Sequence, residues 1–170
     1  GDDLIEKGAS DMNDLLRTEV PSLNIQRLVS NDGAVFTRPF SLRGLPPDQT
    51  LVLVNGKRRH RGATVQFTNV PYIRGSQVPD LAAIPSIAVG QLDVLRDGAS
   101  ALYGSDAIAG VLNFGLRRDR EGGILIARYG QYYEGDGQDF LVQGNLGLPF
   151  TDMGFVNISG EYVNSDTTSR

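Results

Sequence analysis

The chain has 170 residues with 20 acidic side chains against 16 basic ones, a formal net charge of −4, and that balance argues against a general nucleic-acid binder. It contains no cysteine and a single histidine, His60, which excludes thiol catalysis, disulfides and multi-histidine metal sites and leaves one residue for any Ser/His/Asp triad. No apolar run approaches the ~20 residues of a membrane helix and no signal peptide opens the chain, so an exported protein would be represented here by a processed or excised piece.

The first element in chain order is a helix with Ser10 as N-cap and Asp11 and Asp14 near the positive end of its dipole. Leu15 and Leu16 give it an apolar side and Pro21 stops it. Residues up to Arg38 mix Gly, Asn and Asp with scattered apolar positions and read as loop or weak strand. A strand at Phe40–Arg43 runs into the turn forced by Pro46 and Pro47. Leu51–Val54 is short and wholly apolar, which places it inside a sheet, and Asn55-Gly56 supplies the tight turn after it. Lys57, Arg58, Arg59, His60 and Arg61 follow, read either as a solvated basic strand end or as an anion-attracting patch.

Between Gly62 and Ser76 neither period is sustained, and Gln66, Phe67, Asn69, Tyr72 and Arg74 are an unusual set for a core, so this is expected to be a long exposed loop. Asp80–Ile84 and Pro85–Val89 fit two short helical turns. Gln91 to Arg96 alternate as a partly buried strand. Gly98 ends it, Ser100–Tyr103 allows about a turn of helix, and Gly110 leads into the apolar strand Val111–Leu116. The glycines at 98, 104 and 110 match neither a dinucleotide fingerprint nor a P-loop. Ser100 and Tyr103 lack the lysine that a Ser/Tyr oxidoreductase uses, and no paired-carboxylate motif stands out for a hydrolase. No enzyme activity, cofactor or metal is expected.

Near Arg120 the pattern changes to alternating strands with no helix between them, giving expected units of 1–120 and 121–170. Ile124–Tyr133 would be one strand and Glu134–Gly137 its loop. In the next strand Phe140, Val142, Leu146 and Leu148 share a face opposite Asp139, Gln143 and Asn145, and Pro149–Gly154 forms the turn after it. Val156, Ile158 and Tyr162 then lie opposite Asn157, Ser159 and Glu161. Strands of a membrane barrel alternate this way, and so does a half-buried soluble sheet.

Four stretches carry a family resemblance: LRDGASALYGSDAIAGVLN at Leu95–Asn113, FSLRGL at Phe40–Leu45, TLVLVNGKRR at Thr50–Arg59 and DLLRTEVPSLN at Asp14–Asn24. In this order they resemble the plug domain of TonB-dependent outer-membrane receptors. The resemblance implies an α+β plug with a small mixed sheet and short helices, followed by about three antiparallel strands of a truncated transmembrane β-barrel that would need about 22. It implies ligand-gated, TonB-energised import of a scarce solute such as a siderophore, cobalamin, carbohydrate or peptide. The plug would sit in the barrel lumen of a bacterial outer membrane, facing the periplasm.

By the same resemblance, TonB would engage a segment upstream of Gly1. Arg43 and Arg96 would pair with glutamates on the barrel's inner wall. The loops at Pro46–Gln49 and Gly62–Ser76 would touch the small solute through Asp48, Gln49, Gln66, Phe67, Asn69, Tyr72 and Arg74. The competing reading from the residues alone is a soluble periplasmic or surface interaction module whose C-terminal strands form an ordinary sheet.

Overall fold

The computed structural model describes residues 12–25, 37, 39–66, 71, 73–77, 79–96, 99–133, 135–151 and 153–166, with backbone alone at 13–15. Ser10, Asp11, Phe67, Asn69 and Tyr72 lie outside the described residues, as do Gly98 and Glu134. The chain divides into two compact units, one of Gly1–Ile84 with Val89–Leu116, the other of Pro85–Ala88 with Arg117–Arg170.

In the first unit, helix α1 spans Met12–Glu19 and stacks Met12, Leu16 and, one residue beyond its end, Val20 at four-residue spacing, all buried. Strands β1 (Leu23–Ile25) and β2 (Phe40–Leu42) pair antiparallel. The strand expected at 40–43 stops one residue earlier because Arg43 takes a left-handed φ of 58° and its N–H turns to the carbonyl of Ser22.

A four-stranded sheet forms the centre of this unit in the order β4 (Lys57–Arg58), β3 (Thr50–Val54), β6 (Gly110–Leu116), β5 (Val89–Leu95). β3 runs parallel to β6 and the other pairs are antiparallel, so the sheet is mixed. Period-two alternation sends Val52, Leu112 and Phe114 to one face, where they meet Leu16, Phe40, Leu42 and Leu81, and sends Leu51, Leu53 and Val111 to the other, where they meet Ala99 and Ala107. The second group comes from helix α2 (Ala99–Tyr103) and the 3-10 turn at Ser105–Ala107. Each large apolar side chain so buried contributes about 1.5–3 kcal/mol.

Asn55 and Gly56 both have positive φ, 51° and 77°, the geometry of the two-residue turn that suits a right-twisted hairpin. The turn is pinned to β6, since Asn55 Oδ1 accepts from Leu116 N and Gly56 N donates to Asn113 Oδ1, both at 2.9 Å. Gly110 begins β6 at φ 145°, and a Cβ there would stand 2.5 Å from the Leu95 carbonyl oxygen and 2.7 Å from Leu42 Cδ2.

The expected exposed loop at 62–76 is corrected in part. Gln66, Ile73 and Ser76 are buried, and Gln66 N donates to Ser76 O while Gly75 N donates back to Gln66 O, pairing the two ends of the segment. Arg74 and Gly75 stay exposed.

In the second unit β7 (Gly122–Gly130), β8 (Asp139–Pro149) and β9 (Phe155–Ser165) form an antiparallel meander. β7 begins two residues before the expected Ile124 and ends at Gly130 instead of Tyr133, since Tyr132 and Gly135 already bond within the loop. No described helix is long and apolar enough to cross a membrane, which leaves strands out of account.

Replacing Gly110 with Ala is expected to lower unfolding free energy by about 2 kcal/mol or more through steric overlap and a disfavoured φ. Gly160→Ala, where a Cβ meets nothing within 4 Å, should leave it within about 0.5 kcal/mol. Thermal unfolding followed by circular dichroism checks both, and equal midpoints would remove the constraint assigned to Gly110.

Candidate functional site

Three arrangements bear on function. At one end of the first unit the two arginines singled out by sequence meet: Arg43 Nη1 donates to the carbonyl oxygen of Arg96 at 2.8 Å. They are 53 positions apart in the chain, and both are exposed. The strand ends of β2 and β5 bring them together, and the Arg96 guanidinium makes no ion pair with a described carboxylate.

The second arrangement surrounds the basic segment Lys57–Arg61, which begins with β4. Arg58 Nη1 bonds Asp106 Oδ2 at 2.6 Å, Arg61 Nη2 reaches Asp106 Oδ1 at 3.3 Å, and Arg58 Nη2 donates to the Tyr103 carbonyl. The solvated strand end expected here is therefore partly tied down. The pair is half exposed and contributes no more than about 1 kcal/mol.

Asp48 and Gln49 occupy the 3-10 turn Pro47–Gln49, with Asp48 exposed and Gln49 half-buried. Of the second loop, Arg74 is exposed, whereas Gln66 is only 1% exposed and donates from Nε2 to Thr37 Oγ1 at 2.9 Å. Its Oε1 and the Thr50 hydroxyl are buried with no hydrogen-bond partner; an unmade bond of this kind costs about 1–3 kcal/mol. No group of three metal-ligating side chains occurs among the described residues.

The third arrangement is the β7–β9 sheet, whose two faces are buried in the opposite sense to a soluble sheet. Leu125, Ile158 and Tyr162 are 77%, 56% and 62% exposed, while Gln143 and Asn145 on the other face are 4% and 3% exposed. Register places Phe140, Val142, Leu146 and Leu148 beside Tyr129, Val156, Ile158 and Tyr162 on the apolar face.

The polar face carries two sets of hydrogen bonds. Gln143 Nε2 donates to Ser86 Oγ and Glu161 Oε2, Asn145 Nδ2 donates to Asp119 Oδ2 at 2.8 Å, and Ser159 Oγ donates to Asn145 Oδ1 at 2.7 Å. Asn157 Nδ2 donates to the Asp119 carbonyl at 3.1 Å. The buried Arg117 side chain donates from Nε to Ile87 O at 3.0 Å and lies 3.7 Å from Asp119. The segment entering the sheet is thus laid across its polar face, so closely that a Cβ at Gly147 would stand 2.3 Å from the Asp119 carbonyl oxygen.

Sequence reasoning missed Asp106, Thr50 and Asp119. Asp106 is 48 positions from Arg58, and the one available signal was the unneutralised charge of 57–61. Nothing local marked Thr50 or Asp119.

Comparison with known proteins agrees with this geometry. The profile of the TonB-dependent Receptor Plug Domain matches residues 1–111. The iron-regulated outer membrane virulence protein of Vibrio cholerae serotype O1 is 30% identical over 172 residues, covering 97% of this chain and 24% of that protein. Among solved structures, a mutant of the ferric enterobactin receptor from Pseudomonas aeruginosa in complex with enterobactin matches with a TM-score of 0.68 at 25% identity, over 93% of this chain and 23% of that one. A second mutant of that receptor, also with enterobactin, gives 0.67 at 24% identity over the same shares, a likeness of fold alone. The chain spans about a quarter of the length of these relatives.

Asp119→Ala removes the acceptor for Asn145 and the neighbour of Arg117 while keeping the carbonyl that serves Asn157. It is expected to cost about 1–3 kcal/mol, seen as a lower urea midpoint with an unchanged slope. An unchanged midpoint would mean that the entering segment is not held by this side chain.

Proposed function

The chain belongs to the TonB-dependent receptor plug family, and from that premise we propose that it forms the plug and first strands of an outer-membrane receptor that imports a scarce solute in a ligand-gated, TonB-energised step. The observation that carries the membrane part is the inverted burial of the β7–β9 sheet. A soluble sheet turns its apolar face to a core and its polar face to water, whereas a barrel wall turns the apolar face to lipid and the polar face to the lumen. Strands of 9, 11 and 11 residues are also close to the ~9–11 residues that cross a bilayer when tilted. A soluble interaction module would leave this apolar face without a cover.

On this reading residues 1–120 act as the plug and 121–170 as the start of the barrel wall. TonB engages chain upstream of Gly1, and the protein carries out no bond chemistry. Asp48, Gln49 and Arg74 offer polar groups to the solute, joined by Phe67, Asn69 and Tyr72, while Gln66 holds the second loop in shape through Thr37. Arg43 and Arg96 lock the plug to carboxylates on the inner wall. The printed descriptions of the relatives, an iron-regulated outer-membrane protein and receptors complexed with enterobactin, favour a ferric siderophore over cobalamin, carbohydrate or peptide.

Cells carrying the complete receptor should take up a labelled ferric catecholate siderophore with saturable kinetics and lose that uptake when TonB is removed. Saturable uptake of cobalamin, an oligosaccharide or a peptide instead would keep the receptor and change its solute. Uptake that persists without TonB would refute the energised mechanism.

Arg43→Ala and Arg96→Ala are expected to reduce uptake several-fold at unchanged receptor abundance, because an unmatched wall carboxylate destabilises plug seating by several kcal/mol. Wild-type uptake in both variants would remove the locking role.

A further inference from the structure

We propose that Arg117 is a positioning residue for import: it clasps the Pro85–Ala88 turn to the polar face of β8 and β9, and turn and strands stay together as one body while solute passes. The inference rests on the import reading. Pro85–Ala88 lies in sequence between Ile84 and Val89 of the first unit yet belongs to the second. Ala88 N donates to Pro85 O and closes the 3-10 turn Ser86–Ala88, whose Ile87 is 1% exposed. Arg117 grips this turn twice. Its backbone N donates to Ala88 O at 2.9 Å, and its side chain, 6% exposed, donates from Nε to Ile87 O at 3.0 Å. Ser86 adds a third attachment by accepting from Gln143 Nε2 at 2.7 Å.

The place of the clasp in the chain gives it leverage. Val89 faces Leu116 at the end of the β5–β6 ladder, so the bond from Arg117 N to Ala88 O carries that ladder one step past the end of the first unit. Drawing the turn away from the strands would break three hydrogen bonds at once, uncover Ile87 and strip a buried guanidinium of an acceptor. Asp119 steadies the guanidinium from its other end, 3.7 Å away, and is itself bonded by Asn145 of β8. A planar fork can address a carbonyl and a carboxylate together, which an ammonium on a flexible stem does less well.

Two measurements on the complete receptor test this. Amide hydrogen exchange at residues 86–89 should quicken about tenfold or more in Arg117→Gln, while exchange in α1 keeps its wild-type rate. Unchanged exchange at the turn would overturn the clasp whatever the receptor imports. For import, Ser86→Cys and Glu161→Cys replace the two acceptors of Gln143 Nε2 and are joined by a short bis-maleimide, with completeness checked by intact mass. The bridged pair should keep TonB-dependent uptake of a labelled ferric catecholate siderophore within about twofold of the unbridged pair. Arg117→Gln added to the unbridged pair should lower uptake about threefold or more at equal abundance, and the bridge should restore it, a rescue that a role in folding alone would not give. Where Arg117→Gln accumulates poorly, Arg117→Lys takes its place with the same expectations. Loss of uptake on bridging would mean that the turn must leave the strands, and either wild-type uptake in the arginine variant or failure of the rescue would mean that Arg117 does not position it; each overturns the proposal. No ferric catecholate uptake by the unbridged pair or the wild type would count against the import reading instead, and the exchange rates would then decide the clasp.

Discussion

The parallel pairing of β3 with β6 sets most of what surrounds it. Joining residues 50–54 to residues 110–114 in register closes a long stretch of chain, and that closure has to be compensated by contacts made at once on both sides of the sheet. It is, through Val52, Leu112 and Phe114 on one face and Leu51, Leu53 and Val111 on the other. The same pairing carries the Asn55-Gly56 turn to Asn113 and Leu116 and sets Arg58 of β4 against the turn that holds Asp106. Gly110 makes the join possible, since any side chain there would occupy the space of the Leu95 carbonyl and Leu42.

The second unit distributes its burial differently. Its strands alternate, yet the polar side chains Gln143 and Asn145 are buried on one face, and the other face leaves leucine, isoleucine, valine and tyrosine uncovered. Buried amides are tolerated because each is partnered, Asn145 by both Asp119 and Ser159 and Gln143 by both Ser86 and Glu161. The same side also holds apolar residues, Leu141 buried and Ile124 and Ile126 half-buried.

What could be read from sequence was what depends on neighbours in the chain. The strand, helical turn and strand across Gln91–Leu116, the Asn-Gly hairpin and the two-faced pattern of residues 140–162 all follow from local periodicity and turn chemistry. Gln66 looked like a surface residue because a polar side chain in an aperiodic segment gives no sign of a partner, and its partner Thr37 lies 29 positions away. Arg43 and Arg96 were recognised singly, but their meeting depends on where two strands end. Likewise the grouping of Pro85–Ala88 with the second unit comes from Ile87, Ala88 and Ser86 bonding residues 30 or more positions further on or just beyond β6, a long-range fact with no local signature.

The order in which these elements occur along the chain also ranks them mechanically. A tension applied ahead of residue 12 would reach α1 first, then the three-residue ladder between β1 and β2, and only afterwards the five-residue parallel ladder of β3 and β6 with its packed faces. Few backbone bonds hold the leading elements, and many hold the sheet behind them. What ties the leading elements to the sheet is therefore side-chain burial more than backbone bonding, Met12, Leu16, Val20, Phe40 and Leu42 sharing one core with Val52, Leu112 and Phe114.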